Sequence, residues 1–239
     1  GFYPVMQTPP NQGPTMPTDR PNLLLITADD MNWDAVGAFG CPTPGTTPNL
    51  DRLASQGRRF ELAHVAIAVC QPSRSAIMTG RYPHNSGGEG FFQLRKEGVP
   101  FMPDLLRQAG YRIGILGKYG HSTSRPEFEW DFSYDRPELG EGRNPEVYAR
   151  YAGEFFRQAA ESGEPFFLMA NSHDPHRPFY GNDPDEWYDA EQTDPPAAAP
   201  SRSFRPEDVV VPGFLPDLPD VRREIAEYYN SVHRCDETV

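Results

Sequence analysis

Three short apolar runs, each ending in a cluster of polar or ionisable residues, constrain the fold of this chain more than any other feature. Pro21 to Thr27 leads into Asp29 and Asp30, Tyr111 to Gly117 into Lys118 and His121, and Pro165 to Ala170 into His173 and His176. Continuous runs of this length read as strands buried on both faces of a parallel sheet. Helical patterns lie between them. Phe101 to Ala109 places Met102, Leu105, Leu106 and Ala109 on one face with Gly110 as the stop, and Pro145 to Ala160 spaces Val147, Tyr151, Phe155 and Ala159 before Ser162-Gly163 ends it. Strands alternating with helices predict an α/β fold with a mostly parallel sheet sandwiched by helices. Polar residues gathered at one edge of that sheet predict one site.

Length allows one sizeable α/β domain, at 239 residues. The net charge of −12 argues against nucleic acid as a partner and requires that any anionic ligand be met by a local positive pocket. Cys41, Cys70 and Cys235 are too few and too widely spaced for a disulfide framework or a paired zinc site, so the redox compartment stays open. No run approaches the roughly 20 apolar residues of a membrane span. Residues 1–20 lack the basic start and apolar core of a signal peptide, so localisation is left undetermined. Six of the first 21 residues are proline (positions 4, 9, 10, 14, 17 and 21), which predicts an extended tail over residues 1–20. Asp183 to Pro219 is also proline-rich and without pattern, the mark of a long surface excursion able to shape access to a site. Val221 to Val239 turns helical, with Ile225, Tyr228, Tyr229 and Val232 along one face.

The most chemically specific string is Cys70-Gln71-Pro72-Ser73-Arg74, followed by Ser75 to Thr79 and Gly80-Arg81. Pro72 suits the first turn of a helix and Gly80 its end, which puts Cys70 just ahead of a helix N-terminus. Free N–H groups there, with Arg74 one turn on, favour an anion. Read alone, Cys70 is more often a buried structural cysteine. In the same way, Asp29 with Asp30 fits a merely acidic loop, Lys118 a solvated lysine and either histidine a satisfied loop histidine. Two adjacent carboxylates at a dry sheet edge repel unless a cation lies between them, and hard oxygen ligands suit Ca²⁺ or Mg²⁺.

Cys-x-Pro-Ser-Arg with the trailing Thr-Gly-Arg resembles the signature of the type I, formylglycine-dependent sulfatases of the alkaline-phosphatase-like superfamily. Asp29-Asp30, the helix pattern from Thr47 (cap) and Pro48 to Gly57, Gly117-Lys118-Tyr119-Gly120-His121 and His173-Asp174-Pro175-His176 also match. Asp174 to Arg177 and Val209 to Asp217 look particularly like the heparan N-sulfatase (sulfamidase) branch. The resemblance implies that Cys70 is oxidised to formylglycine by a formylglycine-generating enzyme. It implies a Ca²⁺, or Mg²⁺, on Asp29, Asp30 and residue 70, and sulfate held by Arg74 and Lys118. His121 is expected near the nucleophile, His176 at the leaving group, and Ser73 and His173 in support or at the substrate. The expected substrate is a sulfated small molecule or sugar end, including N-sulfoglucosamine.

On this resemblance, one hydroxyl of the hydrated aldehyde attacks sulfur and the other expels sulfate by regenerating the aldehyde, which a serine could not do. The match covers Pro21 to Val239 and implies the N-terminal part of a catalytic domain, incomplete at its C-terminus. Further metal ligands in a Ser-Asp-Asn-Gly-like string and a further basic sulfate ligand are expected beyond it. Two other readings remain open, a phosphonate or phosphate ester hydrolase of the same superfamily and a non-catalytic remnant.

Overall fold

The computed structural model describes residues 20–92, 95–123, 125, 127–182 and 193–239. The expected proline-rich tail lies outside these residues, as does the stretch 183–192 of the expected surface excursion. The described residues form a four-stranded parallel sheet in the order β1 (Leu23–Asp29), β4 (Phe166–Pro175), β2 (Arg112–Leu116), β3 (Phe132–Tyr134). Register is fixed by pairs such as Leu24 with Leu168, Ile113 with Phe167 and Gly114 with Phe132.

Alternation along the two inner strands builds both halves of the core. Ile113, Ile115, Phe167 and Met169 face Met78 of α2 (Cys70–Thr79) and Phe101, the residue ahead of α4 (Met102–Gln108). Leu116, Leu168 and Ala170 face Val147, Tyr148 and Phe155 of α6 (Pro145–Ser162). The sheet is thus covered by helices on both sides, as the alternation of runs predicts. Gly114 matters here, since a Cβ on it would meet Phe155 Cε2 at 2.8 Å and Leu168 Cδ1 at 3.0 Å. Its bare backbone lets α6 press its largest fully buried side chain, Phe155, onto the sheet, and full burial of such a ring stabilises by about 1.5–3 kcal/mol.

The last helix, α7 (Pro219–Thr238), packs Ile225, Ala226, Tyr229 and Val232 against Ala35, Phe204 and Val209. It carries the apolar face expected of residues 221–239. Phe204 and Val209 are buried, so part of the expected excursion is docked core. Asp236 near the end of α7 accepts from the amides of Asn49 (2.9 Å) and Leu50 (2.7 Å), capping α1 (Pro48–Gln56) from another helix.

Several expectations are corrected. Thr47 holds the N-cap position of α1, and its carbonyl accepts from the Asp51 amide at 2.9 Å, but its side chain makes no cap. Its hydroxyl accepts from the Gly37 amide and donates to Asp51, because Asp236 already serves the helix end. Leu53 of α1 is exposed, and of the face expected over Phe101 to Ala109 both Leu105 and Ala109 are exposed, because Met102 and Leu106 make the contact with the core. β1 is an edge strand among the described residues, so Leu23 and Leu24 are exposed rather than buried on both faces. The third strand does not end at Ala170. It continues through Asn171, Ser172, His173 and Asp174 to Pro175, so His173 sits in a strand rather than in the loop after one.

Candidate functional site

The C-terminal ends of β1, β2 and β4 and the first turn of α2 converge, where ligands bind in open α/β sheets. Cys70 is the first helical residue of α2, not the residue ahead of it, with Val69 in the N-cap position. Ser73 donates its amide to Val69 O at 2.9 Å and Gly80 ends the helix at φ 64 with its N–H on Ala76 O. Arg74 is therefore one turn from Cys70, and its guanidinium crosses the strand ends. Nη1 donates to Thr27 Oγ1 (3.1 Å) and Asn171 Oδ1 (2.5 Å), and Nη2 to Asp29 Oδ1 (3.4 Å).

Lys118 follows β2 in the left-handed region at φ 53, and this turn brings Nζ into an ion pair with Asp29 Oδ2. Arg74, Asp29 and Lys118 are all buried. Burial alone raises the Asp29 carboxyl, but Lys118 and then Arg74 outweigh it and hold Asp29 below its ordinary value. Two buried cations thus share one buried carboxylate, and the cluster keeps an excess positive charge. A local positive charge of this kind is what an acidic chain needs in order to meet an anionic ligand.

Asp29, Cys70 and His176 each present a donor atom within 4.8 Å of the others, a group able to hold a metal ion. Asp30, itself exposed and at φ 63, turns its carboxylate towards His176, with Oδ2 3.7 Å from Nε2. Hard carboxylate oxygens suit Ca²⁺ or Mg²⁺, whereas a thiol and an imidazole do not, so Asp29, with Asp30 beside it, fits such an ion when residue 70 offers oxygen, and His176 falls outside such a ligand set. Burial and then the Asp29 carboxylate push the Cys70 thiol above its ordinary value. The helix N-terminus was expected to favour an anion at this residue. Burial, and then the neighbouring carboxylate, reverse that for the thiol.

His121, in the short helix α5 (Tyr119–Ser122), lines a cavity of about 680 Å³ with Lys118, His173 and His176. Its ring meets Phe91 edge-on at 5.4 Å, and burial followed by Lys118 lowers its basicity. His173 is held more firmly in the neutral form by burial and then Lys118. Its amide bonds Gly142 O at 3.0 Å, and its Nδ1 lies where a Cβ on Gly142 would fall, so it supports the strand end rather than joining the cluster. Ser73 is partly buried in the first turn of α2, to one side of the cluster.

Asn171 is a central residue that sequence reasoning missed. Its Oδ1 accepts from Thr27 and Arg74, its Nδ2 donates to Leu116 O (3.2 Å) and Gly117 O (2.9 Å), and its own carbonyl accepts from Tyr148 at 2.5 Å. A buried amide needs such partners, and its place one residue past an apolar run was the available signal.

The described geometry has clear relatives. A solved phosphonate monoester hydrolase of Agrobacterium radiobacter is similar over 92% of this chain and 57% of that one, with a TM-score of 0.62 at 20% identity. A protein solved in complex with its substrate D-glucosamine-2-N,6-O-disulfate is similar over 66% of this chain and 35% of that one, with a TM-score of 0.58 at 26% identity. The fold is alkaline-phosphatase-like. The sulfatase family model matches residues 21–239, and the chain belongs to the sulfatase family. Human N-sulphoglucosamine sulphohydrolase is 33% identical over 91% of this chain and 45% of its own length, so the chain spans about half of that relative. Among the described residues no helix is long and apolar enough to cross a membrane.

Proposed function

We propose that this chain forms the N-terminal part, over residues 21–239, of a catalytic domain that hydrolyses a sulfate ester or sulfamate. The observation that carries this reading is the pair of buried cations, Arg74 and Lys118, converging beside residue 70 with Asp29 as their buried counter-charge. Such a pair is placed to bind the oxygens of a tetrahedral anion and to offset charge that grows on them. Residue 70, as formylglycine, supplies the hydroxyl that attacks sulfur, a role for which the thiol, held protonated by its surroundings, is poorly suited. His176 presents Nε2 to the leaving group as general acid, with His121 and His173 lining the approach.

Asp29 and Asp30, with residue 70, would hold a divalent cation, Ca²⁺ or Mg²⁺, which supplies charge neutralisation at the sulfate. The expected substrate is a sugar end carrying an O- or N-sulfate, N-sulfoglucosamine among them, in keeping with the 33% identity to the human sulphohydrolase.

The test is mass spectrometry of the Cys70 peptide after co-expression with a formylglycine-generating enzyme, followed by turnover of matched aryl sulfate and aryl phosphate esters. Conversion of the thiol to an aldehyde and preference for sulfate are expected. An unmodified thiol sinks the proposed nucleophile, and preference for phosphate shifts the reading to a phosphoester hydrolase.

A further inference from the structure

His176 is partly open to solvent, so packing alone does not fix its ring, and a hydrogen bond does the aiming. Its Nδ1 lies 2.6 Å from the carbonyl oxygen of Arg177. A carbonyl only accepts, so Nδ1 carries a proton, and Nε2 is the nitrogen turned to Asp30 and the cavity.

The same carbonyl is held from the other side by Arg143, one residue before Asn144, which caps α6. Arg143 Nη2 donates to Arg177 O at 3.2 Å and to His176 O at 2.8 Å, while Nη1 donates to Pro178 O at 2.6 Å. One planar guanidinium therefore grips three successive carbonyls, which the single ammonium of a lysine could not do in the same geometry. Arg143 is itself braced. Its Nε is 3.8 Å from Asp174 Oδ1, and Asp174 is gripped by Arg234 of α7 at 2.6 and 3.0 Å. A continuous set of contacts thus runs from α7 through Arg234, Asp174 and Arg143 to the carbonyl that orients His176.

We propose that Arg143 is a positioning residue for the reaction, holding the Arg177 carbonyl so that it anchors the Nδ1–H of His176 and keeps Nε2, which gives up its own proton from the doubly protonated ring, aimed at the leaving group. The inference rests on the reading of His176 as general acid, and ligands that orient a histidine through its second nitrogen commonly affect activity as strongly as the histidine's own contacts. Arg143 never touches substrate in this scheme. It acts through a backbone atom.

The experiment compares the full chain, converted at residue 70, with its Arg143→Gln and Arg143→Lys variants on two esters. One is an aryl sulfate with a good leaving group, and the other is a sugar sulfate with a poor one. A general acid matters in proportion to the basicity of the leaving group. For Arg143→Gln, kcat/KM should fall on the order of 100-fold for the sugar sulfate and stay within about threefold for the aryl sulfate. Arg143→Lys should lie between, and it stands in where the glutamine variant fails to fold. Equal losses on both esters would assign Arg143 a structural role and overturn the proposal.

A second measurement needs no turnover. With the ring in its neutral form, the ¹⁵N shifts of the His176 imidazole should report the Nδ1–H tautomer in the parent chain and a mixture of tautomers in the variants. An Nε2–H tautomer in the parent, or an unchanged tautomer in both variants, overturns the positioning role. If the parent hydrolyses neither ester, the activity itself fails, and the tautomer comparison still decides the role of Arg143.

Discussion

Removing Arg234 should strand a charge in the interior. Arg234 and Asp174 are both buried, and they share two short charge-assisted hydrogen bonds, while Arg234 Nη1 also donates to Ala198 O at 2.6 Å. In Arg234→Met the apolar stem is largely replaced, but the Asp174 carboxylate loses its bidentate partner and is left with Arg143 at 3.8 Å among the described residues. Breaking one partner of a buried pair costs about 3–5 kcal/mol, and the two lost bonds, at about 1.5–3 kcal/mol each, give the same range. A loss of about 4 kcal/mol is a large part of the ~5–15 kcal/mol that holds a domain folded. The assay is urea unfolding at neutral pH, with a lowered midpoint and an unchanged slope expected. Arg234→Met combined with Asp174→Asn should cost less than Arg234→Met alone, since no charge is left without a partner. A loss under about 1 kcal/mol for the single variant, or a double variant less stable than the single one, would refute the reasoning.

Other predictions follow from contacts of the same kind. Asp236→Ala leaves the amides of Asn49 and Leu50 without their acceptor, and should cost about 1–2 kcal/mol in the same unfolding assay. Gly142→Ala drives a Cβ into the His173 ring, 1.9 Å from Nδ1, at a backbone φ of 67. Strain of this kind costs about 1–3 kcal/mol, and a variant as stable as the parent would show that the ring moves freely. Asn171→Leu removes four side-chain hydrogen bonds at the meeting of three strands, and should lower the urea midpoint by more than any of the surface substitutions at Leu105 or Leu53.

Much of the fold was legible because it rests on side-chain patterns that local sequence carries. β2 and the start of β4 are runs of apolar residues, and α6 and α7 repeat them at helical spacing. The end of β4 was not legible, because Asn171 and Asp174 are satisfied in a buried strand by Thr27, Arg74, Leu116, Gly117, Tyr148 and Arg234, partners distant in the chain. β3 is three residues long, too short to announce itself. The same division holds for the site. Asp29, Cys70, Arg74, Lys118 and His176 sit at ends of elements that the sequence marks, and the structure brings them together. Arg143 reaches the site through backbone carbonyls, whose identity no motif records.

The bonds made by Asn171 have a consequence for how such a chain can change. One side chain ties the ends of β1, β2 and β4 to Arg74, so the buried cations are referenced to the sheet and not to the loops around them. Loops can then be lengthened, shortened or exchanged while the distances among Arg74, Asp29 and Lys118 stay fixed. Preference for one partner molecule over another can drift by changes at the periphery, and the chemistry at the centre need not be rebuilt each time.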